Sequence, residues 1–402
     1  MGNGEARADV TILTHSYLNA YQQQYTRPFG GGLERYVGLL CRTIARMGLR
    51  PLVYQLSYYG EFSTSYEGSP VRGWTYEVDA LAAAFERMAA AAEGLIIYAS
   101  CIWQPIAYRP GSIGICHGIN WDYSRMELKT KANIAAIIGS AIRQLDLIVS
   151  VDSHFQTYCR STCEFDDSSK IALLPNPVDT SQFRPKNEKS ANRLSSKEAS
   201  GQTYGKEVTA PKPLRVLYPR RLSYERGVVA MMLVTDKLLD RFANVTVEFA
   251  GELLDHTPVA AAFQLWIEAQ PHKERILVRT YSFDTVQDAY HAADIAVIPT
   301  LYSEGTSLSC LEAMSCGVPV VATDIGGLND IVIDGLNGRL VPPRWVPLYE
   351  AICDLLGDAS LRGEMAAAAR QTALAFDEAR WSSRWERLIA AQLEKLGQNA
   401  AT

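Results

Sequence analysis

Two glutamates flank the start of a predicted helix in the second half of the chain. Glu304 lies in a short loop after the apolar run Ile295–Pro299, and Glu312 lies inside a helix that we expect to begin near Ser307. Carboxylates accept hydrogen bonds from adjacent hydroxyl groups, such as those of sugars and ribose. Free N–H groups at a helix start suit a phosphate, which the helix dipole also favours. The pattern therefore predicts a site for a ligand with hydroxyl and phosphate groups.

The residues between the two glutamates fit the same ligand. Gly305 lets the backbone approach a ligand closely. Thr306, Ser307 and Leu308 place their N–H groups at the start of the helix. For isolated glutamates the simpler interpretation would be a loop carboxylate and a residue on a helix surface, so the surrounding sequence has to decide.

That surrounding sequence resembles the donor motif of retaining glycosyltransferases of the GT-B fold, specifically family 4. The motif has two glutamates with seven residues between them, then Ala-Met, then a Gly-x-Pro-Val-Val strand. Here it consists of Glu304, Glu312, Ala313-Met314 and Gly317 to Val321, and it continues with Gly326-Gly327, Asp334-Gly335 and Asn337-Gly338. The resemblance implies that Glu304 binds hydroxyls of the donor sugar and that Glu312 binds the ribose.

A basic loop upstream resembles the first strand and loop of the family's donor domain. It reads YPRRLSYERG from Tyr218 to Gly227. The family holds the donor diphosphate with an arginine and a lysine; Arg221 matches the arginine, and Arg226 stands at the lysine position. Arginine also neutralises phosphate, but it is planar and bulkier than lysine. We therefore predict that Arg221 and Arg226 hold the diphosphate; alone, the cluster is equally well a solvated basic loop.

Two features of the first half extend the resemblance. A glycine triplet, Gly30 to Gly32, precedes a predicted helix, and the resemblance places this loop, with Gly31 and Gly32, near the donor phosphate and the acceptor. His117 follows the apolar run Ile113–Cys116 and matches a position where the family often has a histidine that faces the donor sugar. Without the family context, the triplet is a plain turn and the histidine is more often structural.

Short β-branched runs alternate with amphipathic stretches along both halves, which predicts α/β architecture with parallel sheets covered on both faces. The predicted strands are Val10–Thr14, Leu52–Leu56, Leu95–Tyr98, Ile113–Cys116, Leu147–Val151, Leu214–Tyr218, Val245–Ala250, Ile276–Arg279, Ile295–Pro299 and Val318–Thr323, and the predicted helices include Leu33–Met47, Val228–Phe242, Thr285–Ala292 and Leu361–Leu396. Ligands of such folds bind outside the carboxyl ends of the strands. Asp152 and His154, after the fifth of these strands, are interpreted as helix-capping or cleft residues.

The length of 402 residues predicts two domains. We expect a GT-B arrangement of two Rossmann-like, doubly wound domains that face each other across a cleft. The N-terminal, acceptor-side domain covers 1–185 and ends in a stretch, Pro175 to Pro185, that resembles the family's signature at this point. The nucleotide-sugar-binding domain covers 213–372, and a C-terminal helix over 373–402, anchored by Trp381 and Trp385, returns to the first domain.

The stretch between the two domains, 186–212, has few large apolar residues. It cannot bury enough surface to offset its chain entropy, which predicts a flexible insertion or linker. An ordered surface loop is the alternative.

Composition bears on whether the protein binds nucleic acid, membranes or metal ions. The formal net charge of −5 argues against a nucleic-acid partner. No apolar run reaches the roughly 20 residues that span a bilayer, and the first residues do not resemble a signal peptide. The 8 cysteines have no metal-ligand spacing, which predicts buried free thiols. We predict a cytoplasmic protein; the arginines of the helix Leu33–Met47 either face solvent or contact the inner face of the membrane.

The resemblance implies transfer of a sugar from a nucleoside diphosphate sugar to a hydroxyl acceptor, with retention of configuration. In the front-face displacement of this family, the leaving phosphate helps to deprotonate the acceptor and no protein nucleophile is needed. Basic residues, not a metal or another cofactor, would stabilise the leaving group. The acceptor is a glycan, a lipid-linked sugar or a small molecule, and the base, sugar, linkage and oligomeric state stay open. The alternatives are a nucleotide-sugar epimerase or hydrolase and a degenerate, non-catalytic scaffold.

Overall fold

The computed structural model describes residues 7–123, 126–163, 168–186, 213–254 and 256–401. The predicted linker 186–212 lies outside the described residues, apart from Lys186. The chain forms two compact units. One contains the residues up to Asn176 together with those from Ala379 onward, and the other is Pro177–Glu378.

The elements of the first unit alternate as the sequence predicts. Its strands are β1 (Val10–Thr14), β2 (Leu18–Asn19), β3 (Gln24–Pro28), β4 (Pro51–Ser57), β5 (Phe62–Tyr66), β6 (Ser69–Thr75), β7 (Leu95–Tyr98), β8 (Ile113–Cys116), β9 (Leu147–Ser150) and β10 (Ile171–Leu173). Its helices in this part of the chain are α1 (Gly32–Arg46), α2 (Leu81–Ala91), α3 (Leu128–Gln144) and α4 (Ser153–Thr162).

The main sheet of the first unit has, within the described residues, the strand order β10-β9-β8-β7-β1-β4-β6-β5. Neighbouring strands are parallel except for β5 and β6, which are antiparallel. The order of the chain reverses between β1 and β7, which is the point where doubly wound sheets bind ligands. The residues that follow these two strands are therefore candidates for a site.

The second unit repeats this plan. Its strands are β11 (Leu214–Tyr218), β12 (Val245–Ala250), β13 (Ile276–Arg279), β14 (Ile295–Ile298), β15 (Val320–Thr323) and β16 (Gly338–Val341). Its helices are α5 (Val228–Arg241), α6 (Pro258–Glu268), α7 (Gln287–Ala292), α8 (Leu308–Ser315), α9 (Trp345–Gly357) and α10 (Ala359–Leu374).

Among the described residues of this unit, the strand order is β13-β12-β11-β14-β15-β16, and every pair is parallel. Numbered along the chain this is the order 3-2-1-4-5-6 of dinucleotide-binding sheets, with the reversal between β11 and β14. Strands of such sheets are buried on both faces, and β14 and β15 are buried along their full length.

The last helix, α11 (Glu378–Ala401), packs on the first unit. The indole Nε1 of Trp385 donates a hydrogen bond to the hydroxyl of Tyr36 on α1 at 3.0 Å. Trp381 and Trp385 are both buried in the hydrophobic cluster that includes Tyr36. The predicted return of the C-terminal helix to the N-terminal domain is therefore confirmed. The predicted helical tail Leu361–Leu396 consists of two helices, because α10 ends at Leu374 and α11 begins at Glu378.

The boundary of the two units differs from the predicted position at residue 185. The segment after Asn176 bonds to the end of the second unit: the amide of Val178 donates to the carbonyl of Phe376 at 2.9 Å, and the amide of Glu378 donates to the carbonyl of Val178 at 3.2 Å. Arg370 also donates to the carbonyl of Phe183 at 3.0 Å. These bonds place residues 177–185 and 373–378 in the second unit.

The structure also bears on the cysteines and on possible membrane-spanning helices. The cysteines are free thiols, all of them buried except the half-buried Cys353, which confirms the predicted buried thiols. Among the described residues, no helix is both long and apolar enough to cross a bilayer.

Candidate functional site

One carboxylate accepts three hydrogen bonds at the point where the strand order of the second sheet reverses. Glu304 lies in the loop between β14 and α8, and its Oε2 accepts hydrogen bonds from Arg220, Arg226 and Thr300, each at 2.7 Å. Arg220 follows β11, so the strands on either side of the reversal both contribute to the cluster. The side chain of Glu304 is 8% exposed, and the cluster is therefore largely screened from water.

Of the two neighbouring arginines after β11, Arg220 is the one that contacts Glu304. Its guanidinium is 8% exposed and donates through Nη1 to Thr300 at 3.2 Å and to Ser307 at 3.4 Å. The predicted Arg221 is 41% exposed, and its Nε lies 3.9 Å from Glu252. Sequence reasoning missed Arg220 because the family motif assigns one arginine to this loop, whereas this chain has two in succession.

The charges in this cluster stabilise one another. Burial alone would raise the pKa of Glu304, but the positive charges of Arg220 and Arg226 outweigh it, and the net pKa is lowered. Burial opposes the charge of Arg220 as well, and the neighbouring Glu304 raises its pKa in spite of it. Glu304 is therefore an anion between two cations, so that the cluster carries an excess positive charge.

A buried tyrosine holds the backbone of the loop that carries Arg226. The hydroxyl of Tyr218, at the buried end of β11, donates to the carbonyls of Arg221 and Arg226 at 3.0 Å and 3.1 Å. Arg226 itself donates to the carbonyl of Ser303 at 3.1 Å in addition to Glu304. Its guanidinium is thus held in place while its side chain stays 33% exposed and accessible from solvent.

The N-terminus of α8 opens beside this cluster. Ser307 is the N-cap residue, but its side chain makes no capping hydrogen bond; its Oγ lies 3.3 Å from the Oγ of Ser309 instead. The helix therefore begins at Leu308 without a side-chain cap on its first N–H groups, and such groups bind anions. The predicted loop position of Glu304, and the helix start near Ser307, both agree with the structure.

Gly326 and Gly327 explain how the loop keeps its shape. A side chain on Gly326 would collide with the carbonyl oxygen of Glu304, and one on Gly327 would lie 2.5 Å from the backbone of Gly305. The amide of Gly327 donates to the carbonyl of Glu304 at 3.0 Å. Two backbones therefore meet here at a separation that only glycine permits.

Glu312 is a buried residue of α8. Its side chain is 4% exposed, and its Oε2 accepts a hydrogen bond from the hydroxyl of Tyr290 at 2.8 Å. Tyr290 is itself buried on α7, edge-on to Phe183 with ring centres 5.9 Å apart. Tyr290 is a positioning partner that the sequence did not identify, and the predicted contact of Glu312 with a ribose stays a prediction.

In the first unit, His117 follows β8 and is fixed by two neighbours. Its Nε2 lies 2.9 Å from the carbonyl of Ala99, and its ring is edge-on to Tyr36 at 4.8 Å. A carbonyl can only accept, so Nε2 carries the proton and Nδ1 carries the lone pair. Burial lowers the pKa of His117 to about 4, with a further contribution from His15, so the ring is neutral at physiological pH.

His15 belongs to a polar group after β1 that the sequence did not single out. Its amide donates to the hydroxyl of Ser100 at 2.9 Å, and its Nδ1 lies 3.7 Å from the sulfur of Cys101. The next residue, Ser16, donates through its hydroxyl to Glu34 at 2.5 Å. These residues follow β1 and β7, the two strands at the reversal point of this sheet.

Glu34 contacts both the polar group after β1 and the glycine triplet. It is 4% exposed in the first turn of α1, which Gly31 caps in an extended conformation. A side chain at position 31 would collide with the carboxylate of Glu34. Gly30 has a φ of 103°, which favours glycine, and Gly32 is the first residue of α1. The triplet therefore admits a buried carboxylate at the helix start.

Asp152 caps a helix, as one of its two predicted interpretations states. Its Oδ1 accepts a hydrogen bond from the amide of Phe155 at 2.9 Å at the start of α4, and His154 is the second residue of that helix. Within the described ranges, no three His, Cys, Asp or Glu side chains are grouped so that they could hold a metal ion.

Residues 203–372 match the family model described as Glycosyl transferases group 1. Most of the second unit therefore resembles the group 1 glycosyltransferases. This match contains Arg220, Arg226, Glu304 and Glu312, so the arginine–glutamate cluster lies in the part of the chain that the family model matches. The predicted resemblance is thereby confirmed.

Curated relatives match part of the chain. Glycogen synthase from Mycobacterium tuberculosis is 34% identical over 165 residues, which are 40% of this chain and 38% of the relative. D-inositol 3-phosphate glycosyltransferase from Xylanimonas cellulosilytica is 28% identical over 241 residues, which are 58% of this chain and 52% of the relative. The chain thus spans about two fifths to one half of the length of these group 1 relatives.

Solved structures match nearly the whole chain. Sucrose-phosphate synthase from Thermosynechococcus elongatus superposes with a TM-score of 0.70 at 16% identity, and the match covers 98% of this chain and 100% of that one. HepE of Anabaena in complex with UDP superposes with a TM-score of 0.69 at 18% identity, with 95% and 100% covered. At such identities the likeness shows the fold, and it confirms the predicted pair of Rossmann-like domains of a GT-B protein.

Proposed function

We propose that this protein transfers a sugar from a nucleoside diphosphate sugar to a hydroxyl acceptor, with retention of anomeric configuration and without a metal ion. The observation that carries the proposal is the cluster of Arg220, Arg226 and Glu304 beside the start of α8, at the reversal point of a group 1 domain. Two cations around one anion leave a net positive charge where a diphosphate would bind. Such a site stabilises the negative charge that develops on a leaving diphosphate.

In this proposal, Arg220 and Arg226 hold the diphosphate while they remain bonded to Glu304. Each guanidinium has five N–H groups and can therefore serve a phosphate and a carboxylate together. The N–H groups from Gly305 to Leu308 complete the phosphate site. Arg221, exposed beside Glu252, stays a predicted phosphate ligand from the outer side of the loop.

Glu304 and Glu312 would bind hydroxyl groups of the donor. Glu304 keeps its negative charge because its pKa is lowered, so it can accept hydrogen bonds from sugar hydroxyls. Glu312 would accept hydrogen bonds from the ribose, with Tyr290 holding its carboxylate in place. The role of Glu304 requires the carboxylate form, so that protonation of Glu304 would weaken donor binding.

His117 would accept a hydrogen bond from a hydroxyl of the reacting sugar. Its neutral ring offers the Nδ1 lone pair, since Nε2 donates to Ala99. With a pKa of about 4 it is not a proton donor near neutral pH, so it orients the sugar and does not act as a general acid. Gly31 and Gly32 stay predicted neighbours of the donor phosphate.

The nature of the donor can be tested first with UDP and UDP-glucose, because HepE of Anabaena was solved with each of them. We expect calorimetric binding of UDP, or of GDP, ADP or dTDP in the same panel. Arg226→Ala should weaken this binding more than tenfold, since hydrogen bonds to charged groups contribute roughly 1.5–3 kcal/mol. Arg241→Ala, which removes an exposed arginine at the end of α5, is the control and should leave this binding unchanged.

Three results would reverse the proposal. Binding of no nucleoside diphosphate by the wild-type chain would favour the non-catalytic scaffold. An isomerised sugar formed without an acceptor would favour an epimerase. A product with inverted configuration at the anomeric carbon, read from the coupling constant of its anomeric proton, would contradict retention.

A further inference from the structure

A short hairpin carries two exposed aromatic rings close to the polar residues that follow β1. The strands β2 and β3 pair in antiparallel fashion, and a turn of 3-10 helix, Ala20–Gln22, connects them. The rings of Tyr21 and Phe29 lie 4.8 Å apart with an interplanar angle of 50°. They are 45% and 39% exposed. Aromatic side chains bury a large area on binding and are enriched in binding sites, so an exposed pair beside buried polar residues is a candidate site.

The hairpin is held rigidly, so this aromatic pair is preorganised. The buried side-chain amide of Gln55 on β4 forms two hydrogen bonds with the backbone of Leu18. Its Oε1 accepts from the N–H of Leu18 at 2.7 Å, and its Nε2 donates to the carbonyl of Leu18 at 3.2 Å. The amide of Phe29 donates to the carbonyl of Tyr17 at 2.9 Å. A ligand that stacks on the pair would therefore order little additional chain when it binds.

The aromatic pair is continuous with the polar group around Glu34. Tyr17, which bonds to Phe29, directly follows Ser16, whose hydroxyl donates to Glu34. Phe29 directly precedes the glycine triplet that admits the carboxylate of Glu34. The pKa of the Tyr21 phenol is raised by burial first and then by neighbouring groups that include Glu34, which agrees with this proximity. The exposed rings and the buried carboxylate thus belong to adjoining stretches of chain, and Glu34 is close enough to act electrostatically on Tyr21.

A pyranose ring presents the two complementary surfaces. Its C–H face stacks on aromatic rings, and its hydroxyl rim donates to carboxylates. The charge of Glu34 favours a neutral ring over one that carries a phosphate or carboxylate group. We propose that Tyr21, Phe29 and Glu34 form the acceptor subsite of this protein and that it takes an uncharged pyranose. This inference rests on the proposed glycosyl transfer and names its acceptor class.

Saturation-transfer difference NMR on the full chain tests the subsite. The probes are methyl α-D-glucopyranoside and maltose, with acyclic glycerol as the reference. We expect transfer to the ring protons of a pyranose probe and a loss of about tenfold in its apparent affinity in Tyr21→Ala and in Phe29→Ala, as the removal of an aromatic stacking partner implies. Glu34→Gln should also weaken the pyranose signal, because it replaces the charged acceptor.

A matched control comes from another exposed aromatic pair. Tyr58 and Tyr59 are 58% and 60% exposed, with ring centres 5.1 Å apart. The variant Tyr58→Ala/Tyr59→Ala should keep the pyranose signal of the wild type. No transfer to either pyranose probe in the wild type, an equal signal for glycerol, or unchanged signals in Tyr21→Ala and Phe29→Ala would overturn the proposal.

Calorimetry with UDP separates this inference from the proposed function. If a nucleoside diphosphate binds and the pyranose probes do not, the acceptor class is wrong and the transferase proposal stands. If a pyranose binds through Tyr21 and Phe29 but no nucleoside diphosphate binds, the subsite is a saccharide site in a protein that does not use such donors.

Discussion

Arg220 and Glu304 form a buried ion pair, with 2.7 Å between Nη2 and Oε2 and with each side chain 8% exposed. Arg226 completes the group from the same distance, but its side chain is 33% exposed. The two arginines therefore differ in how far their side chains are exposed. Arg220 is embedded in the structure of the loop, whereas Arg226 bonds to the same carboxylate and still faces outward.

This difference predicts unequal effects on stability. Arg220→Ala should lower the free energy of unfolding by about 3–5 kcal/mol, because a buried carboxylate loses a partner. Arg221→Ala should change it by no more than about 0.5 kcal/mol, as is usual for an exposed side chain. Urea denaturation measures both variants, and equal midpoints for the two would contradict the inward placement of Arg220.

The sequence predicts the frame of this molecule better than its site. Six of the predicted strands, for example Leu214–Tyr218 and Val245–Ala250, have the same bounds as the observed ones. Buried parallel strands are continuous apolar runs, so their limits are visible in the sequence. The hairpin of β2 and β3 is not visible, because its short polar segments depend on Gln55, a residue far along the chain.

The site residues could be predicted only in part. Glu304 and Glu312 could be identified from their spacing and from the motif around them. Which of Arg220 and Arg221 turns inward depends on the path of the backbone after β11, and the residue types are identical. Glu34 and Tyr290 act through contacts with Ser16 and Glu312, distant in the sequence, that no local pattern contains.

The contact between Glu312 and Tyr290 leads to a binding prediction. If Glu312 binds the ribose, UDP should bind more tightly than 2′-deoxy-UDP, and Glu312→Ala should remove most of this preference. Tyr290→Phe deletes one hydrogen bond of the carboxylate and should reduce the preference partially. Titration calorimetry measures each affinity, and Glu252→Ala, an exposed carboxylate near Arg221, serves as the control. A preference that survives Glu312→Ala would exclude the ribose role.

His117 leads to a prediction about pH. Its pKa of about 4 in the folded protein is below the ordinary value of 6.5. Between these values the unfolded chain binds more protons than the native one, so this group's contribution to stability is full above pH 6.5 and is lost as the pH falls toward 4. The assigned imidazole resonances of His117 should therefore stay at their neutral positions from pH 8 to about pH 5.5. A midpoint near 6.5 would contradict the buried, neutral ring.

The bond between Trp385 and Tyr36 predicts how much the last helix contributes to the first unit. Trp385→Ala should cost about 3–5 kcal/mol, because it empties a fully buried site. Tyr36→Phe removes the acceptor of the indole N–H and should cost about 1–3 kcal/mol. Arg387→Ala, at an exposed position on the same helix, is the control for thermal denaturation. Equal losses in all three variants would mean that α11 is not anchored through these rings.

The same helix has a consequence for the order in which the molecule is made. A ribosome releases the chain from its N-terminus at roughly 5–20 residues per second, and domains generally fold as they emerge. Residues up to Asn176 emerge first, yet their unit also contains Trp381, Trp385 and Ile389 in its core. The second unit is continuous in sequence and is complete earlier. We therefore expect the half that is synthesised first to be the last to finish folding, with its hydrophobic surface exposed to chaperones until α11 emerges.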